Sequence, residues 1–324
     1  MFTYIKDWID KHMRLSVALC TYNGEKFISE QLQSIAAQTV LPYELVICDD
    51  HSTDNTLENL NVFAKNAPFP VRICLNDKSL GVIRNFEKAI LLCKGDYVAL
   101  SDQDDVWLPD KLEKSMALMK KEEEKHAEKK LPILVHSDLK VVDQNLKVIS
   151  ESLMHMQKIH NENSEHALKT LLVQNYVTGC TVIINKELKE VATPFPNGII
   201  MHDWWLALLA ASEGKIAYLE ESAILYRQHG ENSVGAKKYF SKKNLKKALS
   251  FNEMKSQIKK TILQVAVFSE YKPYTYLEGR KIAEEYVEYI DRKNYSAISR
   301  KGIHKQGFLR NILFYIFLNL MNEE

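Results

Sequence analysis

The 324-residue chain is 46% hydrophobic and 26% charged, the profile of a globular protein able to bury a sizeable core. Its formal net charge of +1 excludes a dedicated nucleic-acid binder, which shows a strongly basic domain or stripe. The five cysteines, Cys20, Cys48, Cys74, Cys93 and Cys180, are odd in number, lack metal-ligand spacing and sit mostly in apolar runs, the pattern of reduced core thiols in a cytosolic protein.

Residues 1–14 carry scattered charges without a continuous apolar core, so they read as a separate N-terminal segment and not as a secretory signal. Leu15 to Cys20 is an apolar run stopped by Thr21, Tyr22, Asn23 and Gly24, a buried strand closed by turn residues. Phe27, Ile28, Leu32 and Ile35 follow at helical spacing. The unit then recurs. Glu44 to Cys48 is a second strand, and Ser52 or Thr53 is placed to cap a helix carrying Leu57, Leu60 and Phe63. Val71 to Leu75 is a third strand with a helix from Val82 to Ile90, and Gly95 to Leu100 is a fourth. Four strand-helix units imply right-handed crossovers and a mainly parallel sheet flanked by helices, an α/β fold. Ligands of such sheets bind outside the carboxyl ends of the strands. The loops there, at 21–24, 49–54, 76–81 and 101–105, collect the polar residues.

A helix is expected to begin at Pro109 and to run into the mixed-charge stretch Lys120 to Lys130, a solvated helix end. Ile133 to His136 and Leu139 to Val142 read as short strands, broken by Ser137 and Asp138. Tyr176 to Ile184 holds another around Thr178, Gly179 and Cys180. Met201 to Trp205 opens an apolar helix through Ala211, and Ala223 to Tyr226 is a last strand. Beyond Gly235 the chain is Lys-rich and helical. No stretch is long and apolar enough to span a bilayer. Gly307 to Leu320 comes nearest; preceded by Arg300, Lys301 and Lys305 and interrupted by Arg310, it suits a helix lying in the membrane interface, or one docked on its own domain or on a partner subunit.

The fourth strand runs into Ser101, Asp102, Gln103, Asp104, Asp105, Val106 and Trp107. Three carboxylates within four residues repel one another, and a fold that keeps them at a strand end usually has a divalent cation there. On an extended loop, Asp102 and Asp104 point the same way, so one can meet the metal while the other holds a metal-bound water or a ligand hydroxyl.

Several ordered segments share the spacing of a known family: Val17 to Gly24, Gln38-Thr39, Glu44 to Asp54, Asn76, Gly81, Ser101 to Trp107, Pro109 to Leu112, and His202-Asp203-Trp204-Trp205. Over Ser16 to about Gly235 the chain resembles the family 2 glycosyltransferases, enzymes of the GT-A fold that use nucleotide-activated sugars and generally invert the anomeric centre. Ser101 to Trp107, with the later Tyr226-Arg227-Gln228-His229-Gly230, is most similar to the bacterial rhamnosyltransferase-type branch that builds surface polysaccharides. The resemblance implies a GT-A domain over 15–235 and a helical C-terminal extension over 236–324, membrane-associating or dimerising.

It also implies roles. Cys20 and Tyr22 match positions lining the nucleotide base, where Tyr22 can stack on a pyrimidine. Asp50 matches the acceptor of the base imide N–H, a contact that selects uracil or thymine over cytosine, with Asp49 beside it or serving as a turn or cap residue. Asp102 matches a position near the ribose and a metal water. Asp104 matches the direct ligand of Mn²⁺ or Mg²⁺, with Asp105 as the alternative. His229 resembles a third metal ligand or diphosphate contact, helped by Arg227. Asp203 matches the general base that takes the proton of the acceptor hydroxyl, although a residue opening a helix can equally be a cap. Trp204 or Trp205 offers an aromatic face to a sugar. His202 stands where the family often has Glu. His136 to Asp138 and Asn175 to Gly179 fall where acceptor-facing loops would lie, or are structural turns.

The expected donor is dTDP-rhamnose, then a UDP-hexose. The expected acceptor is a saccharide, lipid-linked in bacterial surface polysaccharide synthesis, which would set the enzyme on the inner face of the plasma membrane. Two rival functions fit the sequence less well. A nucleotidyltransferase would need a Gly-rich basic loop after the first strand, where this chain has Thr-Tyr-Asn-Gly-Glu. A catalytically inactive sugar-binding module would not need Asp104 and Asp203.

Overall fold

The computed structural model describes residues 14–230, 251–271 and 277–320. The N-terminal segment before residue 14 and the boundary expected near Gly235 lie outside the described residues. The four expected strands and the helices between them are β1 (Leu15–Thr21), α1 (Ile28–Ala36), β2 (Glu44–Asp49), α2 (Thr56–Ala64), β3 (Val71–Leu75), α3 (Val82–Leu92) and β4 (Tyr97–Ser101). Then come β5 (Val106–Trp107), α4 (Lys111–Lys125), β6 (Ile133–Ser137), β7 (Lys140–Val142), β8 (Val148–Ser150), α5 (Leu153–Gln157) and α6 (Ser164–Leu171). The central part closes with β9 (Ile183–Asn185), α7 (Lys186–Ala192), α8 (His202–Glu213), β10 (Lys215–Leu219) and β11 (Ile224–Arg227).

The main sheet has the order β10-β6-β9-β4-β1-β2-β3. β4, β1, β2 and β3 pair in parallel, whereas β9 runs antiparallel between β4 and β6. β1 and β2 are buried along their whole length, as expected of parallel strands covered on both faces. The mainly parallel α/β architecture is therefore as expected. A smaller sheet, β5-β11-β7-β8, stands beside it and joins the acidic loop after β4 to the strand that carries Arg227.

Four local expectations change. Gly179–Thr181 is a 3₁₀ turn, not a strand, because the Thr178 carbonyl accepts both the N–H and the hydroxyl of Thr181 at 3.0 and 2.7 Å; the strand begins two residues later. Neither Ser52 nor Thr53 caps α2. Its N-cap is Asn55, whose side chain makes no capping bond, and the preceding Asp54 accepts the Thr56 N–H at 3.0 Å, while Ser52 is taken by Asp49 and by the Asn23 N–H. The helix expected from Pro109 starts at Lys111. The strands β5, β8 and β10 have no counterpart in the sequence reading: β5 and β8 are only two and three residues long and carry no readable period, whereas the five-residue β10 follows α8 with a single glycine between them.

The C-terminal helices are α9 (Phe251–Glu270), α10 (Leu277–Asp291), α11 (Tyr295–Arg300) and α12 (Phe308–Leu320). They share one hydrophobic core with the sheet: Phe268, Tyr286, Ile298 and Phe314 belong to the same buried cluster as Val98, Leu134 and Trp205. Trp205 meets Tyr271 and Phe268 edge-on, with centroids 4.8 and 6.2 Å apart. No described helix is long and apolar enough to cross a membrane.

Candidate active site

A cavity of about 640 Å³ opens at the carboxyl ends of β1, β2 and β4, within the range of small-molecule sites. Cys20, Tyr22, Asp50, Asp102, Asp104, Asp203 and Trp204 all line it. The positioning is local first. Polar residues end each strand, and the loops they form bond to one another. The Asn23 N–H donates to Ser52 Oγ at 2.9 Å, the Gly24 N–H to Thr56 Oγ1 at 2.7 Å and the Glu25 N–H to Asp54 at 3.0 Å. The two loops thus behave as one rim.

At the β2 end, Asp50 accepts four hydrogen bonds from a single loop: Asn76 Nδ2 at 2.8 Å, Ser79 Oγ at 2.7 Å, Leu80 N–H at 2.6 Å and Gly81 N–H at 2.9 Å. Burial opposes its charge, but these donors outweigh burial and hold the carboxyl below its usual range. Gly81 sits at φ +78°, a conformation that β-carbons disfavour, and this turns its N–H onto Asp50. In this conformation Asp50 organises the 76–81 loop, so a base imide would have to share an acceptor already in use. Asp49 is a turn residue, bonded by Thr21 Oγ1 at 2.7 Å and by the Ser52 N–H and hydroxyl at 2.9 and 2.6 Å. The Cys20 thiol is held protonated by burial, and the exposed Tyr22 ring stands at the rim.

The acidic loop divides into three roles. Asp102 is pushed up to about 7, chiefly by burial and then by the charges of Asp104 and Asp203. Asp104 Oδ2 lies 2.8 Å from His229 Nε2. Asp105 turns inward and is fully buried; its Oδ1 accepts the Arg227 N–H at 3.2 Å and its Oδ2 has no hydrogen-bond partner. Ligand atoms of Asp102, Asp105 and Cys180 lie within 4.8 Å of one another. The donors available are mostly hard carboxylate oxygens, one of them an orphan, and this set suits Mg²⁺ or Mn²⁺. The Cys180 thiol, kept protonated by burial and by Asp105, is a poor ligand for such an ion.

Arg227 is the residue expected beside the diphosphate. It is 1% exposed and does not line the cavity. Its Nε donates to the Asp104 carbonyl at 2.9 Å, Nη1 to the Gln144 carbonyl at 2.6 Å, and Nη2 to Glu30, while the guanidinium lies over the Phe27 ring at 4.7 Å. With its donors committed to the protein it is a brace for the acidic loop. His229 also packs on Phe27, with centroids 4.6 Å apart, and pairs with Asp104 of the acidic loop.

Asp203 opens α8 beneath the 175–179 loop. It accepts the Trp204 N–H at 2.6 Å and is also bonded by the Gly179 N–H and the Asn175 side chain. Burial dominates and pushes the carboxyl up to about 6, the range of a working general base. Trp204 faces the cavity, with Nε1 donating to the Leu171 carbonyl at 2.7 Å. Trp205 is core. His202 stacks on Phe86 at 3.9 Å, and both its ring nitrogens are buried without partners; burial lowers it to about 3, so it stays neutral. Asn175 to Gly179 line the cavity. His136 to Asp138 do not; Asp138 instead bonds the Leu139 and Met154 N–H groups and Ser152, which makes this segment structural.

Sequence reasoning missed three residues. Gln103 joins the acidic loop to the β1 loop through the Tyr22 backbone, and its place between two aspartates concealed it. Tyr226 lines the cavity from a strand that read as ordinary core. Lys111 is fully buried with Nζ 3.6 Å over the Trp107 ring, and burial lowers it to about 7. Nothing in the sequence separates it from its solvated neighbours.

A sequence profile described as "Glycosyl transferase family 2" matches residues 16–127. The dTDP-rhamnosyl transferase RfbG of Shigella flexneri is 30% identical over 237 residues, covering 69% of this chain and 76% of RfbG. Among solved structures, S. aureus TarS 1-349 in complex with UDP-GlcNAc aligns with a TM-score of 0.53 at 18% identity, over 84% of this chain and 70% of that one. PcManGT, a mannosyltransferase from Pyrobaculum calidifontis in complex with GDP-Man and Mn²⁺, aligns with a TM-score of 0.50 at 14% identity, over 99% and 93%. At these identities the two structures speak to the fold, which is GT-A-like.

Proposed function

We propose that this chain, which belongs to glycosyl transferase family 2 and is a glycosyltransferase, transfers rhamnose from dTDP-rhamnose to a saccharide acceptor with inversion, in the assembly of a lipid-linked bacterial surface polysaccharide. The observation that carries the reading is one cavity lined by Asp50, by Asp102 and Asp104, and by a buried Asp203 whose carboxyl is raised to about 6. Base, diphosphate and attacking hydroxyl each find a matching group. The choice of sugar is supported by the RfbG relative and by apolar lining at Val82, Phe86, Ile200 and Met201, which suits the methyl group of a 6-deoxyhexose; a UDP-hexose is the second choice.

Ionised Asp203 accepts the proton of the acceptor hydroxyl. That oxygen forms a bond to the anomeric carbon from the face opposite the diphosphate, and the carbon–phosphate oxygen bond breaks with its electron pair leaving on the nucleoside diphosphate. Mn²⁺ or Mg²⁺ held by Asp104, with Asp105, Asp102 and His229 as the further donors, would supply positive charge to the departing diphosphate. Trp204 offers the acceptor ring an apolar surface, and Asn175 and the Gly179 N–H hold the base in place. The test is a thermal-shift and transfer screen of dTDP-, UDP- and GDP-sugars with Mn²⁺. Stabilisation and turnover should be greatest with dTDP-rhamnose; a clear preference for a GDP-sugar would overturn the donor assignment.

A further inference from the structure

α12 is apolar on two faces. Phe314, Phe317 and Leu318 are buried in the common core. On the other side Phe308, Ile312, Ile316 and Leu320 recur at four-residue intervals, with Leu309 beside them, and all are exposed; Phe308 is 85% and Leu309 68% accessible. Scattered exposed apolar residues are ordinary, but an ordered stripe of large ones marks a contact surface. The helix is 13 residues long, about 20 Å, too short to cross a bilayer.

Two observations indicate what covers this stripe. The charges around its amino end are mainly positive: Arg300, Lys301, His304 and Lys158 are exposed, Lys301 being paired with Glu285 at 2.6 Å, and Arg310 projects from the first turn to the Gln157 carbonyl at 2.7 Å. Exposed aromatic and aliphatic side chains bordered by cations match the headgroup boundary of an anionic membrane. The same end of the helix is also fastened to the cavity wall. Gln306 bonds both the N–H and the carbonyl of His160, at 2.9 and 2.8 Å, and Gln157 and Ile159 in that segment line the cavity.

We propose that the exposed face of α12, with Phe308 and Leu309 at its amino end, docks on an anionic lipid surface and so holds the Gln157–Ile159 wall of the cavity close to the membrane. The purpose of this docking rests on the lipid-linked acceptor proposed above, whereas the docking itself needs no donor and no acceptor.

The experiment is co-sedimentation of the full chain with vesicles of phosphatidylethanolamine and phosphatidylglycerol, and with vesicles of phosphatidylcholine alone. Binding should favour the anionic vesicles and weaken with salt. The double variant Phe308→Glu/Leu309→Glu should lower partitioning at least about tenfold, and Arg300→Glu about fivefold on anionic vesicles alone, with thermal midpoints and soluble donor binding unchanged. Arg300→Glu keeps the test open should the double variant fail to fold. Equal binding to both vesicle types, or no loss in either variant, overturns the proposal. So does a concentration-dependent dimer that Phe308→Glu/Leu309→Glu dissociates in a chain that ignores vesicles, since a second copy then covers the stripe. Failure of the wild-type chain to bind any nucleotide sugar would count against the donor reading and leave the vesicle result standing.

Discussion

Gln103 and Tyr22 are joined by both ends of one amide: the Tyr22 N–H donates to Gln103 Oε1 at 2.8 Å, and Gln103 Nε2 donates to the Tyr22 carbonyl at 3.0 Å. The clamp holds the loop after β1 against the loop after β4, and Gly24 makes room for it, because a β-carbon there would collide with the Gln103 amide. Gln103→Ala should cost about 1 kcal/mol of stability and weaken donor binding about tenfold by loosening the rim. Calorimetric titration with the nucleoside diphosphate checks this; unchanged affinity would show that the clamp does not shape the site.

Asp203→Asn should abolish transfer while donor affinity stays within about twofold, since a group acting on the acceptor proton contributes little to donor binding. Asn keeps an oxygen to accept the Trp204 N–H, so the helix start survives. Transfer by the variant at the wild-type rate would refute the base assignment.

The same residue makes stability depend on pH. Its carboxyl titrates at about 6 folded against 3.8 ordinarily, so ionisation is costlier in the folded chain. Its contribution to stability is complete below about pH 3.8 and is lost as the pH rises through 6. Asp203→Asn should therefore raise the unfolding free energy by about 3 kcal/mol at pH 8 and by almost nothing near pH 3.5. Chemical denaturation at the two pH values reads the difference, and an equal effect at both would contradict it.

For the wild-type enzyme, kcat/KM should climb about tenfold per pH unit below 6 and level off above it, as the base becomes ionised. A profile flat from pH 5 to 8 would exclude a base raised by burial.

Asp104 and His229 form a pair at the edge of the acidic loop. Asp104→Ala should remove the metal dependence of donor binding, and His229→Ala should weaken it about tenfold. Arg227→Met should act otherwise. By stripping donors from the Asp104 and Gln144 carbonyls and from Glu30, it should destabilise the fold by about 3 kcal/mol. A stable Arg227→Met protein with a selective loss of diphosphate affinity would restore the ligand role that burial argues against.

These contrasts mark where the linear chain was informative. β1 to β4 could be placed to within a residue or two because each is a short apolar run ended by Asn, Asp, Ser or Gly, and those signals act within a few residues. Right-handed crossovers then bring all four polar loops to one edge, so Asp50 and Asp102 could be expected on one cavity from their order, whereas Asp203 is expected there only through the family resemblance. The helices of the C-terminal part were legible for the same local reason. Which face of α12 enters the core was not, since both faces are apolar.

Partnership was decided by the folded chain. Arg227 reads as a cation in a polar loop and becomes a buried brace because β11 runs beside β7 and meets Asp104, Gln144 and Glu30. Asp105 and Cys180 become neighbours because the turn before β9 packs against the end of β4. Apolar period and turn chemistry are properties of adjacent residues and survive in the order of the sequence. Whether a charged side chain is spent on the protein or left for a ligand depends on distant segments, and that information exists only once they are packed.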